Sequence, residues 1–250
     1  MIENKKQQLI NQKDTEINQK SSDLEEMKKA GLQYGHKKTY NNPRADYFTI
    51  KSSAEISLID LNETNKGLTA ALGFIKEIIK NKGIILFVGT SGGAKEAIER
   101  ISRKYDFPYV TNRWLGGTLT NFQTLNNRIK YLQELEEKQK SGDWDKYTKQ
   151  EKKKLEEEIF NLEQKFIGLK KMSRLPDALF AIDPKIHKTA IREGRKMKIP
   201  IISILDTDDD PTEVNYPIPA NDSAKSSIEY ILTKIEKAIE KFTANNQQSN

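Results

Sequence analysis

Residues 83–94 read GIILFVGTSGGA: an apolar run of strand length, the corner Gly89-Thr90-Ser91-Gly92-Gly93, and then the helix-like stretch AKEAIERISRKY at 94–105. The same alternation continues in both directions. Further strands are expected at PYVTN (108–112), ALFAID (178–183) and IPIISIL (199–205), with a shorter one near YPIP (216–219). Helices are expected at 64–82, where Leu68, Leu72, Ile75 and Ile79 follow helical spacing and Gly83 ends the run, and at 185–197 and 222–242. Short β-rich runs alternating with helices indicate an α/β fold: a five-stranded doubly wound parallel sheet, flavodoxin-like or Rossmann-like, with right-handed crossovers. YFTI (47–50) and EISLID (55–60) look like a short hairpin beside it.

One connection is too long for that scheme. Roughly 60 residues separate PYVTN from ALFAID, where a crossover normally needs far fewer. Phe122, Leu125, Ile129 and Leu132 follow a heptad seam, as do Leu155, Ile159, Leu162, Phe166 and Leu169, with a helix stop and restart in KSGDWDKYTKQ (140–150). The spacing predicts a protruding antiparallel coiled-coil hairpin over 119–172, inserted into an α/β domain made of 23–118 and 173–242. Residues 1–22 and 243–250 are polar and read as a flexible extension and a disordered tail. Mixed charges on the outer faces of the hairpin read as a solvated surface.

Composition narrows the chemistry. The 250 residues contain no cysteine, which removes disulfides, thiolate metal sites and cysteine catalysis and fits a reducing cytosol. No apolar run approaches the length of a membrane span, and the N-terminus lacks the apolar segment of a secretory signal, so a soluble intracellular protein is expected. A net charge of +6 suits an anionic partner such as nucleic acid.

The glycine corner matches G-x-S-x-G, which raises a nucleotide-binding or hydrolytic enzyme as the alternative. A serine nucleophile needs a histidine base held by an acid. The chain has two histidines, and only His187 follows in the right order, with Asp183 on the same strand-helix corner rather than on a separate strand end. The spacing also fails the phosphate loop and the G-x-G-x-x-G fingerprint. The favoured reading is a corner chosen for backbone geometry, with Ser91 incidental and no enzyme. His36 and His187 lie far apart, and the acids Asp206, Asp208 and Asp210 lack the pattern of an EF-hand, so turn chemistry is expected there and no cofactor or metal.

NRWLGGTLTNF (112–122) carries more information. It sets a basic and an aromatic side chain together, followed by a double glycine and a helix start. Arg113 could pair with phosphate and Trp114 could stack on a base; Trp114 could equally pack at the root of the hairpin. This stretch closely resembles the signature of the ribosomal protein S2 family, the second protein of the bacterial small subunit. AGLQYGHKKTYNNP (30–43), ISLIDLNET (56–64), ILFVGT (85–90), PDALFAIDP (176–184), IPIISILDT (199–207) and YPIPANDSAKSSIEYI (216–231) resemble further segments of that family in order, so that the resemblance covers roughly 23–240. Three departures stand out: Ser91 and Gly92 occupy the place of a basic pair, Ala220 replaces a glycine, and the N-terminal extension is longer.

The resemblance implies an α/β sandwich with a projecting hairpin and a cytoplasmic, ribosomal location. It also implies binding to 16S ribosomal RNA (rRNA) and neighbouring small-subunit proteins, with ribosomal protein S1 docking to support messenger-RNA binding in initiation. Charge and motif position nominate Lys37, Lys38, Asn42, Arg44, Arg113 and Trp114 as RNA-binding residues, with Lys95, Arg103, Lys104 and Arg174 as weaker choices.

Overall fold

The computed structural model describes residues 21–52 and 54–247; residues 1–20 of the expected extension over 1–22 and the last three residues of the tail lie outside them, and residues 21 and 22 open a helix. Five parallel strands form the main sheet: β4 (Ile85–Val88), β5 (Tyr109–Val110), β6 (Ala178–Ile182), β7 (Ile201–Leu205) and β8 (Tyr216–Pro219), in the order β5-β4-β6-β7-β8. The first strand of the sheet lies between the second and third, so the order is that of a flavodoxin-like sheet.

Strand residues alternate between two cores, which is why these runs are apolar on both faces. Ile85, Phe87, Ala178, Phe180, Ile202 and Ile204 pack on one side, beneath helices α1 (21–30), α2 (Leu61–Lys80), α3 (Gly92–Tyr105) and α7 (Lys225–Gln247). Leu86, Val88, Leu179, Ala181 and Ile201 face the other, beneath α6 (Lys188–Lys196), in a core continuous with the apolar seam of α4 (Phe122–Lys140) and α5 (Lys149–Phe166). Helices α4 and α5 fill the long connection. They bury Leu125, Ile129, Leu132, Ile159 and Phe166, and Tyr131 donates to Glu158 across the pair at 3.1 Å. Thr148 and Glu151 form a reciprocal capping box that restarts the chain as α5.

The expected hairpin supplies two of the three strands of a small antiparallel sheet. β2 (Thr49–Ile50) and β1 (Tyr34–Lys37) both pair with the central β3 (Ile56–Ile59). Two further expectations change. The final helix continues to Gln247, so residues 243–247 are helical rather than a disordered tail. The corner after β4 does not use glycine for a left-handed backbone, since Gly89, Gly92 and Gly93 all avoid positive φ. A side chain at Gly89 would instead lie 2.6 Å from Ile98 Cδ1, so the glycine is there to let helix α3 close onto the sheet.

Candidate nucleic-acid interface

The segment after β5 is fixed by one side chain. Glu193, buried on α6, receives five hydrogen bonds: from Trp114 Nε1 (3.1 Å), Gly117 N (2.8 Å), Leu119 N (2.9 Å), Thr120 N (3.1 Å) and Thr120 Oγ1 (3.1 Å). Burial pushes its carboxyl up, but the bonds from Thr120, Gly117, Leu119 and Trp114 outweigh burial and hold it below the ordinary glutamate value. Gly117, with φ of 93°, supplies the left-handed turn that lets successive N–H groups converge on one carboxylate. Trp114 is therefore buried, with its only donor committed, and the expectation that it stacks on RNA is corrected. Arg113 and Asn112 remain exposed on the same segment. Asn112 accepts from Lys95 Nζ at 2.9 Å and donates to the Gln164 backbone oxygen at 2.9 Å, tying α3 and α5 to the segment beside Arg113.

The other expected cations are placed less uniformly. Lys37 is exposed at the end of β1 with no ion pair among the described residues, whereas Lys38 Nζ donates to the Ser52 backbone oxygen. Asn42 N donates to Thr207 O at 2.8 Å, its side chain accepts from Arg44 N at 3.0 Å, and Arg44 pairs with Asp210. Asn42 and Arg44 thus join the small sheet to the loop after β7, while the Lys38 ammonium stays on the small sheet at Ser52. Arg103 and Lys104 do not join either group: they pair with Glu99 (3.0 Å) and Glu236 (3.2 Å), so their charges are already answered within the chain. Arg174 is likewise held by Asp177 at 2.8 Å.

The carboxyl ends of β6, β7 and β8 bring together acids that are far apart in sequence. Oxygens of Asp183, Asp209 and Asp222 lie within 4.8 Å of one another. Burial, reinforced by the neighbouring carboxylates, pushes Asp209 and Asp222 well above the usual carboxylate range. His36 Nδ1 lies 3.1 Å from Asp206 and 3.3 Å from Asp208, and Lys185 pairs with Asp208 at 2.5 Å. Proton uptake by Asp209 and Asp222 relieves the repulsion; oxygen ligands at this spacing could also hold a hard cation.

A hydrolytic relay is not assembled here. His187 Nε2 accepts from the Thr90 backbone N–H at 3.3 Å, and burial lowers the imidazole to about 4, so it is neutral and already engaged. The Asp183 side chain accepts from Ile186 N at 2.9 Å, and among the described residues no hydrogen bond links it to the His187 ring or links that ring to Ser91 Oγ. The Glu193 anchor is not legible in sequence, because a glutamate in a charged helix reads as surface and its partners lie more than 70 residues away. The basic spacing Lys188, Arg192, Arg195, Lys196 along α6 is visible in the string KTAIREGRK.

The profile of the family described as "Ribosomal protein S2" matches residues 4–241. Three curated relatives carry the name "Small ribosomal subunit protein uS2". The one from Chloroflexus aggregans is 43% identical over 86% of this chain and 90% of its own length. That from Borrelia garinii subsp. bavariensis is 39% identical over 86% and 82%, and that from Dehalococcoides mccartyi is 36% identical over 88% and 89%.

Proposed function

The chain belongs to the ribosomal protein S2 family, a family of structural rather than enzymatic proteins, and from that premise we propose that it is built into the small ribosomal subunit by binding 16S rRNA. The observation that carries the rRNA reading is the 112–120 segment. Five hydrogen bonds to Glu193, three from backbone N–H groups and two from side chains, fix the segment, which leaves Arg113 exposed on a preorganised support beside Lys95. A guanidinium held on rigid backbone loses little entropy on meeting a phosphate. Lys37, Lys38 and Asn42 form a second contact region, with Arg44 beside them but already paired with Asp210, and the α4–α5 pair, as a projecting coiled coil, extends the footprint.

Docking of a protein neighbour, ribosomal protein S1 in the family's pattern, is assigned to the outer face of the small sheet. Tyr34, Leu58 and Ile50 lie directly across from one another in register, so they share one face, and Tyr34, Ile50 and Ile56 are all exposed. An apolar sheet face left open to water suits a protein partner. No helix among the described residues is long and apolar enough to cross a membrane, and the location that follows from the proposal is the ribosome in the cytoplasm.

Charge reversal tests the RNA side. Lys37→Glu with Lys38→Glu should lower incorporation into small subunits when the variant competes with wild type in the same cells. Equal incorporation would remove both residues from the interface.

A further inference from the structure

Helix α6 turns a row of cations outward. Its buried residues are Ala190, Ile191, Glu193 and Gly194, whereas Lys188, Arg192, Arg195 and Lys196 are exposed, followed by exposed Lys198. Positions 188, 192, 195 and 196 follow the i, i+4, i+7, i+8 pattern of a single helix face. Only Arg195 has an acidic partner, Glu213 at 3.7 Å; Lys188, Arg192, Lys196 and Lys198 have none among the described residues.

This placement is unfavourable for the isolated protein. Like charges at i, i+4 repel, which sets Lys188 against Arg192 and Arg192 against Lys196. Lys188 also stands at the positive end of the helix dipole, with no acid in the first turn. Some cations on other helices are neutralised within the chain: Arg100 meets Glu229 and Glu236, Lys104 meets Glu236, Lys225 meets Glu96 and Lys66 meets Glu63. The one inward-facing acid of α6 is Glu193, which is spent on the Trp114–Thr120 segment, so Arg113 is joined to the same helix.

We propose that the outer face of α6, through Lys188, Arg192 and Lys196, is a phosphate-binding surface that meets the rRNA backbone of the small subunit. The proposal rests on the ribosomal reading above and extends it to a helix outside the motifs that carry the family resemblance. The occupant is a polyanion because the face presents unpaired cations and little apolar area, and the spacing along one helix face fits a run of backbone phosphates rather than a base edge.

The test uses the full chain and small subunits stripped of this protein. Binding of wild type and of the triple variant Lys188→Gln, Arg192→Gln, Lys196→Gln is measured by sedimentation across a salt series. Each phosphate contact contributes about 0.7–0.9 to the slope of log affinity against log salt, so the triple variant should show a slope shallower by about 2, with Lys66→Gln unchanged. A second readout exploits the absence of cysteine: an iron chelate tethered through Lys196→Cys should cut 16S rRNA by hydroxyl radical. A wild-type slope in the triple variant, or a bound tethered protein that leaves the RNA uncut, overturns the α6 assignment, including the case where a protein neighbour covers the helix. If wild type does not bind stripped subunits at all, the ribosomal reading falls with it.

Discussion

Truncating Glu193 to alanine should unfold the 112–120 segment from its anchor at a large and measurable cost. The carboxylate satisfies five donors, among them the buried indole N–H of Trp114 and the buried Leu119 N–H. Leaving a buried donor unpaired costs about 1–3 kcal/mol, and severing a buried charged group from its partners costs about 3–5 kcal/mol. The expected loss for Glu193→Ala is therefore about 3–5 kcal/mol, a fall in Tm of about 6–20 °C for a chain of this size. Glu193→Gln should not rescue it. Oε1 accepts from Trp114 and Gly117, and Oε2 from Leu119 and both Thr120 donors, so either orientation of the amide sets an NH2 group against two or more donors. Urea unfolding followed by fluorescence gives the free-energy difference, and pH supplies a check. Because the folded carboxyl is held below its ordinary value, its stabilisation is present above the unfolded pKa of about 4.3 and is lost as pH falls through the folded value. The gap between wild type and Glu193→Ala should close in that acid range. A loss below about 1 kcal/mol, or a gap that stays constant into acid, would refute the anchor.

Two further outcomes follow from the same structure. Asp222 and Asp209 have folded pKa values raised above the unfolded value, so they withdraw stability as pH rises from about 4 toward the raised values; Asp222→Asn should raise the denaturation midpoint at neutral pH and flatten its decline with pH, as followed by thermal melts in a buffer series. Gly168→Ala would place a Cβ 2.2 Å from the Tyr109 carbonyl oxygen, so it should lower stability by about 2 kcal/mol or more, whereas a neutral result in urea titration would mean that the turn after α5 moves freely away from β5.

The sheet was legible because its strands are buried on both faces. Runs such as IILFV and IISIL can be read without knowing what covers them, and the long connection announced its two helices through heptad spacing. β1 was not legible: YGHK is short, exposed or half-buried at every position, and owes its conformation to pairing with β3 rather than to its own pattern. The glycine corner is visible in the string, but its reason is the close approach of Ile98, which only the packed structure contains. Trp114 had two readings in sequence, and the choice depended on Glu193, a partner 79 residues away. The same limit applies to the cations. Arg103, Lys104 and Arg174 look like RNA contacts in the string, and only the fold reveals the acids that neutralise them.

A stable component of the small ribosomal subunit stays with it through sedimentation. Sedimenting a cell lysate through sucrose at low and at moderately high salt, and detecting this protein across the fractions, tests this most directly. Co-migration with small subunits at both salts is the predicted result, and recovery only in light fractions free of ribosomal RNA would contradict it.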